Sequence, residues 1–354
     1  MYKREDTRRV KVGNKYMGGG SDVLIQSMLN IPAHDFEGNV AQAKALETAG
    51  CEVIRVSVPD MQTVKLIPLL KEAVNVPIVA DIHFDYRLAL ESVAAGVDKV
   101  RINPGNIGDE ANVKKVADAC RLKNIPIRIG VNSGSVEKNI LAKHGAPTPA
   151  ALVESGEYHI SLLEKFDFGD IVLSLKSSNT QTMYDTYVLA AERCPYPLHL
   201  GVTEAGTAHM GLVRSAAGIG GLLLRGIGDT IRVSLTDDPV KEIAAARDIL
   251  SAVGLRCDGA RVVSCPTCGR TKIDLIGLAN EAEEKLRGFK KNITVAIMGC
   301  AVNGPGEARE ADIGIAGGDG CGLIFKKGEI IRKVPQEELL SSLLKEIERE
   351  YGEW

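Results

Sequence analysis

Between residue 23 and about residue 236, short runs of β-branched and aliphatic residues recur at intervals of roughly 25 to 35 residues. They read VLIQSML (23–29), CEVIRVSV (51–58), VPIVADIH (76–83), KVRINPG (99–105), PIRIGVN (126–132), DIVLSLK (170–176), PLHLGVTE (197–204) and TIRVSLT (230–236). The stretches between them, such as NVAQAKALETAG and RLALESVAAG, carry apolar residues at helical spacing and stop at a glycine suited to a helix C-terminus. Eight strands alternating with helices is the count of a TIM (β/α)8 barrel of the α/β class, and a doubly wound open sheet is the alternative. A short hairpin, RVKVGNKYMGG, precedes the first run and is placed to plug the barrel floor.

The pattern changes after DPVKEIAAARDILSAVG (238–254), which reads as the eighth barrel helix. LRCDGA (255–260) reads as a linker. RVVS then leads into CPTCGR and a predicted amphipathic helix TKIDLIGLANEAEEKL, followed by strand ITVAIMG, the runs DIGIAGG, GLIFKKGE and IIRKV, and a terminal helix PQEELLSSLLKEIER. The expected organisation is a barrel over 1–254 and a small α+β domain over 261–354.

The composition is that of an ordinary globular chain, with 45% hydrophobic and 25% charged residues in 354. A net charge of −3 gives no general attraction to nucleic acid or anionic membranes, so any anion must be bound by local clusters of Arg and Lys. No apolar run is long enough to span a bilayer, and the expected location is the cytoplasm. Eight cysteines in such a chain are expected to be thiols or metal ligands, with Cys51, Cys120, Cys194 and Cys257 read as small buried hydrophobes.

The chemistry concentrates in two places. Cys265 and Cys268 lie between a strand and a predicted helix start, whose N–H groups would favour thiolates, and Cys300 closes the next strand. If the two strands are parallel neighbours, the three sulfurs gather at one sheet end. An iron–sulfur cluster fits best, with Glu307 returning after the Gly-Pro-Gly segment as a hard, exchangeable fourth ligand. Structural zinc, with Cys321 or Cys257 as fourth ligand, and a dithiol redox pair remain alternatives, and Glu307 reads equally as a solvated glutamate in EAREAD.

The second place is the expected barrel mouth. Inward positions on a strand share parity, and that parity carries Arg55 and Ser57, Arg101 and Asn103, Arg128 and Asn132, Ser174 and Lys176, and Arg232 and Ser234. Five cations on separate strands, with Asp81 and Glu204 as the acidic neighbours, call for an anionic ligand such as a phosphate. The GIGG segment offers backbone N–H groups for phosphate, or close helix packing. His83 and Glu204 end the third and seventh strands and are acid–base candidates, each with a structural role as the plainer reading.

CPTCGR and MGCAVNGPGEA, together with RINPGNIG, RIGVNSGS and LHLGVTEAG, resemble the 4-hydroxy-3-methylbut-2-enyl diphosphate synthase family of the methylerythritol phosphate pathway, from about residue 7 to the C-terminus. The resemblance implies a [4Fe–4S] cluster on Cys265, Cys268, Cys300 and Glu307, and an oxidoreductase that opens and dehydrates 2-C-methyl-D-erythritol 2,4-cyclodiphosphate with two electrons. It also implies Glu204 beside the substrate carbons, the arginines, Lys176, Asn132 and Ser234 on its diphosphate, ferredoxin or flavodoxin as electron donor, and a homodimer with shared sites. The direction of the eighth helix, away from the mouth, argues for the same sharing. Rival readings are a barrel lyase or methyl transferase with a zinc-bearing accessory domain, and a nonenzymatic electron carrier.

Overall fold

The computed structural model describes residues 3–256 and 259–352, and Cys257 and part of the expected linker lie outside them. The chain divides into two compact units, residues 1–255 and 256–354.

In the first unit, a hairpin of β1 (Val10–Val12) and β2 (Lys15–Met17) precedes eight strands: β3 (Leu24–Met28), β4 (Val53–Ser57), β5 (Ile78–Asp81), β6 (Lys99–Ile102), β7 (Ile127–Asn132), β8 (Ile171–Lys176), β9 (His199–Leu200) and β10 (Thr230–Ile231). They pair in the order β8-β7-β6-β5-β4-β3-β10-β9, all parallel, and a parallel bridge between Leu173 and Leu198 joins the two ends. This is the TIM barrel that the eight runs predict.

Each strand is buried on both faces, which is why the sequence shows β-branched runs and not a polar–apolar alternation. One parity, including Ile54, Val56, Ile78, Ala80, Val100, Ile102, Ile127 and Ile129, packs under the helices, and burying each such Ile or Val side chain contributes about 1.5–3 kcal/mol. The other parity fills the interior. Its lowest layer is apolar: Leu24, Val53, Val79 and Val172 pack with Val10, Val12 and Met17 of the hairpin, which closes the floor. Above it the interior turns polar, and that layer positions the site.

The helices start where side-chain caps satisfy their first N–H groups. Asp109 Oδ1 accepts from Asn112 N at 3.0 Å at the head of Glu110–Lys123, a contact worth about 1 kcal/mol. That helix ends on Asn124 in the left-handed conformation, φ 54°.

Two strands keep only two residues of their runs. The β9 and β10 ladders stop at Leu200 and Ile231, and the residues beyond them are mouth loops. Glu204 therefore lies four residues past its strand, and His83 two past β5, so neither is a strand end.

The second unit is a five-stranded sheet in sequence order: β11 (Ala260–Ser264), β12 (Ile293–Met298), β13 (Ile313–Gly317), β14 (Cys321–Lys326) and β15 (Glu329–Pro335). The first three strands are parallel and the last two antiparallel to their neighbours. Helices Leu275–Leu286 and Leu339–Tyr351 cover it, burying Leu275, Ala282, Leu286, Leu339, Leu343 and Ile347 against Val295, Ile297, Ile313 and Ile315. The first of these starts later than the sequence predicts, because its N-cap is Asp274, whose Oδ1 takes Gly277 N at 3.0 Å.

Candidate functional site

Asp81, 2% exposed at the end of β5, is the hub of the barrel mouth. Arg101 Nη1 reaches its Oδ1 at 3.0 Å, while Arg55 Nε at 3.6 Å and His83 Nε2 at 3.4 Å reach Oδ2. Burial works to raise the Asp81 carboxyl, but Arg55, His83, Arg101 and Arg128 together hold it far below the usual carboxylate range. Arg101 lies across β7, its Nη2 donating to Gly130 O at 3.2 Å. A Cβ at Gly130 would stand 2.4 Å from Arg101 Nε, so the glycine of RIGVN makes room for the guanidinium.

Arg232 takes a different partner. Its Nη2 lies 3.3 Å from Oε1 of Glu242, a buried carboxylate in the helix Pro239–Ala252. Glu242 also accepts from Leu235 N at 3.0 Å and Ser27 Oγ at 2.9 Å, so it ties the loop carrying Arg232 and Ser234 to the barrel wall. Nothing in the sequence spacing singles Glu242 out, since an acid in a helix's first turn is ordinary.

Arg128 is 1% exposed, and its Nε and Nη1 find no hydrogen-bond partner among the described residues. Burial, then Arg55 and Arg101, push its guanidinium below its ordinary pKa. Lys176, also buried, is lowered by burial and by Arg55, Arg128, Arg232 and Arg101. The physical meaning is an excess of positive charge: of the five cations, Arg55 and Arg101 pair with Asp81 and Arg232 pairs with Glu242.

Two further buried groups extend this polar interior. Lys99, one position below Arg101 on the inward parity, has Met17 Sδ at 3.4 Å, and burial, Arg128 and Arg55 lower its pKa. His199 is buried with neither ring nitrogen hydrogen-bonded among the described residues. Both sit inside runs read for their apolar content.

Asn103 is buried, with Oδ1 taking Gly105 N at 3.1 Å, which leaves its amide NH2 end to donate. Asn132 N donates to Ser135 Oγ at 3.0 Å, and Asn132 and Ser234 are both half-buried. Glu204 is exposed in the left-handed region, φ 52°, a conformation that costs a non-glycine residue roughly 1–2 kcal/mol and concentrates at functional sites. The GIGG segment does not cradle an anion. It lies inside the continuous helical stretch Ala208–Leu224, at the π-helical turn Ala216–Gly220, where a Cβ on Gly218 would come within 3.2–3.3 Å of Thr180, Met183 and Val202. Close packing is its role.

In the second unit, β11 and β12 run in register with Ser264 opposite Ile297, so the chain segments that carry Cys265 and Cys300 leave the same sheet end. Gly299 N donates to Cys265 Sγ at 3.2 Å. The helix expected to start beside Cys268 has its N-cap, Asp274, six residues further on, and its influence is replaced by Arg270. The backbone N–H and then the side chain of Arg270 lower the Cys268 thiol. The Arg270 guanidinium in turn feels Cys268, Cys300 and Glu307. CPTCGR carries this cation two positions after its second cysteine, a signal that the spacing of the cysteines alone did not use.

The Gly-Pro-Gly segment is not a reversing turn. It forms the short helix Gly304–Glu307 with Pro305 in its first turn, and Asn303 Nδ2 lies 3.4 Å from Glu307 Oε1. Cys268 and Glu307 are exposed, and Cys265 and Cys300 half-buried. Among the described residues, no three His, Cys, Asp or Glu side chains converge on one ion-sized position. A four-iron cage takes a wider donor set, one ligand for each iron. Three accessible thiols, one of them already lowered, with a carboxylate within the reach of one guanidinium, are a donor set of the kind such a cage uses. By contrast, burial pushes the Cys51, Cys120 and Cys194 thiols up to about 12, which keeps them inert.

Residues 7–247 match the GcpE TIM-barrel domain and residues 261–349 the GcpE protein C-terminal domain. The chain belongs to the GcpE family. Its relatives include the 4-hydroxy-3-methylbut-2-en-1-yl diphosphate synthase (flavodoxin) of Clostridium perfringens, 59% identical over 98% of this chain and 99% of the relative. The enzyme of the same name from Caldanaerobacter subterraneus is 58% identical over 98% of each chain. Among solved structures, Yersinia pestis dihydropteroate synthase matches 70% of this chain and 98% of its own, with a TM-score of 0.51 at 13% identity, a likeness of barrel fold alone. No helix of the described residues is long and apolar enough to cross a membrane.

Proposed function

We infer that this GcpE-family protein makes 4-hydroxy-3-methylbut-2-en-1-yl diphosphate from 2-C-methyl-D-erythritol 2,4-cyclodiphosphate, in the cytoplasm, with a flavodoxin or ferredoxin as electron donor. The observation that carries the reading is the excess of cations in the barrel interior, Arg55, Arg101, Arg128, Lys176 and Arg232, against the buried carboxylates Asp81 and Glu242. The names of the relatives supply the product and the donor class.

In balance, the cyclic diphosphate takes two electrons and one proton, releases water, and leaves a diphosphate one charge more negative. A C–O bond to the diphosphate breaks, and that oxygen becomes an anion. The five cations hold the diphosphate and stabilise the added charge as it develops, which is where preorganised charge is most effective. Asn103, Asn132 and Ser234 donate hydrogen bonds around it. Asp81 keeps Arg55 and Arg101 aimed before substrate arrives, and Glu242 does the same for Arg232. Glu204, on a loop held by Arg214 Nη1 to Ala205 O at 2.9 Å, delivers the proton to the departing hydroxyl, with His83 as the second acid–base group.

Cys265, Cys268, Cys300 and Glu307 are proposed to hold a [4Fe–4S] cluster, Glu307 being the hard and exchangeable ligand. When bound, the cluster supplies the two electrons singly. We propose also that a homodimer pairs each barrel with the partner chain's cluster domain. The support is that the last barrel helix, Pro239–Ala252, follows β10 and so runs away from the mouth.

The test is anaerobic purification, an iron count and an absorbance spectrum, followed by turnover of the cyclodiphosphate with reduced flavodoxin. Four irons per chain with product formation support the reading. A colourless, iron-free chain that binds the cyclodiphosphate without converting it overturns the redox assignment and favours a lyase or transferase with a zinc domain.

A further inference from the structure

The motif RIGVNSGS continues into Val136 and Glu137, and Glu137 has no part in the mouth chemistry above. Its Oε1 lies 2.6 Å from Nε2 of His159, whose side chain is completely buried while that of Glu137 is 18% exposed. His159 belongs to the helix Pro149–Glu164, which lies close against the barrel wall: a Cβ on Gly156 would stand 3.0 Å from Leu175 and 3.2 Å from Leu173. Both histidine and glutamate are therefore fixed to rigid elements, since Glu137 O also accepts Leu141 N at 2.9 Å to start the helix Lys138–His144.

What rests on this pair is the neighbouring mouth loop. A Cβ at Gly105 would lie 3.2 Å from Glu137 Oε1, 3.2 Å from His159 Cε1 and 3.5 Å from Asn103 Oδ1. The backbone at Gly105 thus sits close on the carboxylate–imidazole pair, at a distance where a methyl group would push loop and pair apart by a few tenths of an ångström. Gly105 N donates to Asn103 Oδ1, and Asn106 N to Asn103 O at 2.9 Å, so the seat of Gly105 sets the position of Asn103. On the other side, the segment from Asn132 through Ser135 to Glu137 is closed by Asn132 N to Ser135 Oγ at 3.0 Å and Ser135 Oγ to Asn132 O at 3.1 Å. This one pair, a buried histidine with a half-buried glutamate, is the meeting point of the loops that follow β6 and β7.

We propose that Glu137 and His159 are positioning residues that set the spacing of Asn103 and Asn132 for the substrate's diphosphate. The proposal rests on the reading of the mouth as the diphosphate site. A buried carboxylate–imidazole contact suits the task because it is short, directional and costly to rearrange once desolvated. Misplacing loop donors by a fraction of an ångström weakens bonds to phosphate oxygens without touching the groups that make them.

The experiment compares Glu137→Gln, Gly105→Ala and Arg128→Ala in the cluster-loaded holoenzyme. Affinity for the cyclodiphosphate is measured by titration calorimetry, kcat and KM by turnover, and folding by thermal melting and the cluster spectrum. Glu137→Gln keeps the shape and loses the charge; Gly105→Ala keeps the pair and lifts the loop off it. The expected result for both is a Kd and KM about ten-fold higher, on the order of one weakened polar contact, with kcat changed far less and the cluster spectrum near normal; melting stays near normal in Gly105→Ala and falls in Glu137→Gln, which removes the charge of the pair. Arg128→Ala separates the two levels of the argument. If it weakens binding while Gly105→Ala and Glu137→Gln do not, the positioning role is wrong and the diphosphate site stands. If Arg128→Ala itself leaves affinity unchanged, the site reading fails first. Should Glu137→Gln prove unstable, Gly105→Ala, which removes no buried partner, carries the test, and an unchanged KM in it overturns the proposal.

Discussion

Replacing Asp81 by Asn tests whether the barrel interior is a charge trap awaiting an anion. The side chain keeps its shape, but Arg101 at 3.0 Å and Arg55 at 3.6 Å lose their shared counter-charge inside a site where Asp81 is 2% exposed. Breaking a buried pair by neutralising one member costs about 3–5 kcal/mol, because the other charge stays buried. In a domain of this size each kcal/mol moves Tm by about 2–4 °C, so the barrel should melt on the order of 6 °C or more below the parent. The folded pKa of Asp81 is depressed, so its stabilisation is fully present above the ordinary carboxylate pKa and is lost only as pH falls through the folded value. A melt at neutral pH therefore reads the whole effect. Adding inorganic diphosphate should restore more stability to Asp81→Asn than to the parent, since the ligand takes over the missing negative charge. Equal melting temperatures without ligand, or an equal rise with it, would refute the charge-trap account.

Arg128→Ala should weaken cyclodiphosphate binding roughly ten-fold to a hundred-fold, the worth of a charge-assisted contact, while the cluster spectrum stays intact; calorimetry and absorbance read the two. Glu307→Cys should retain a fully loaded cluster and lose most turnover, because a fourth thiolate closes the exchangeable position, and near-normal turnover would contradict that. Asp229, buried under the N-terminal segment with Leu198 N at 2.8 Å, is raised to about 6, chiefly by burial, so the native state binds its proton more tightly than the unfolded chain. Stability should fall by up to about 3 kcal/mol between about pH 4 and pH 6, and Asp229→Asn should melt higher than the parent at pH 8 and gain little at pH 4. Mixing Cys265→Ser chains with chains carrying Arg128→Ala and Glu204→Ala should regain up to about a quarter of normal activity if sites are shared in a homodimer, and none if each chain uses its own cluster.

The barrel was legible because its strands are buried on both faces, which writes each one as a compact β-branched run, and the inward polar and small residues interrupt those runs with period two, as in Arg128, Gly130 and Asn132. Partners drawn from other elements left no such trace. Glu242 reads locally as an acid favouring a helix start, and only the packing of Pro239–Ala252 on the barrel makes it the counter-charge of Arg232. Lys99 opens the run KVRINPG with nothing in the spacing to mark it, and only the N-terminal hairpin, which sets Met17 against it, shows it as part of the buried interior. The places where local expectation failed are mostly gathered around the mouth: ladders that stop early at Leu200 and Ile231, Glu204 at a positive φ, and a π-helical turn where a phosphate loop was one reading. Regular pairing there would have extended β9 and turned Glu204 by strand pleat alone. Ending the strand at Leu200 releases the loop that holds Glu204 in a conformation a strand cannot supply, and the cost of that conformation is met by the packed barrel beneath it.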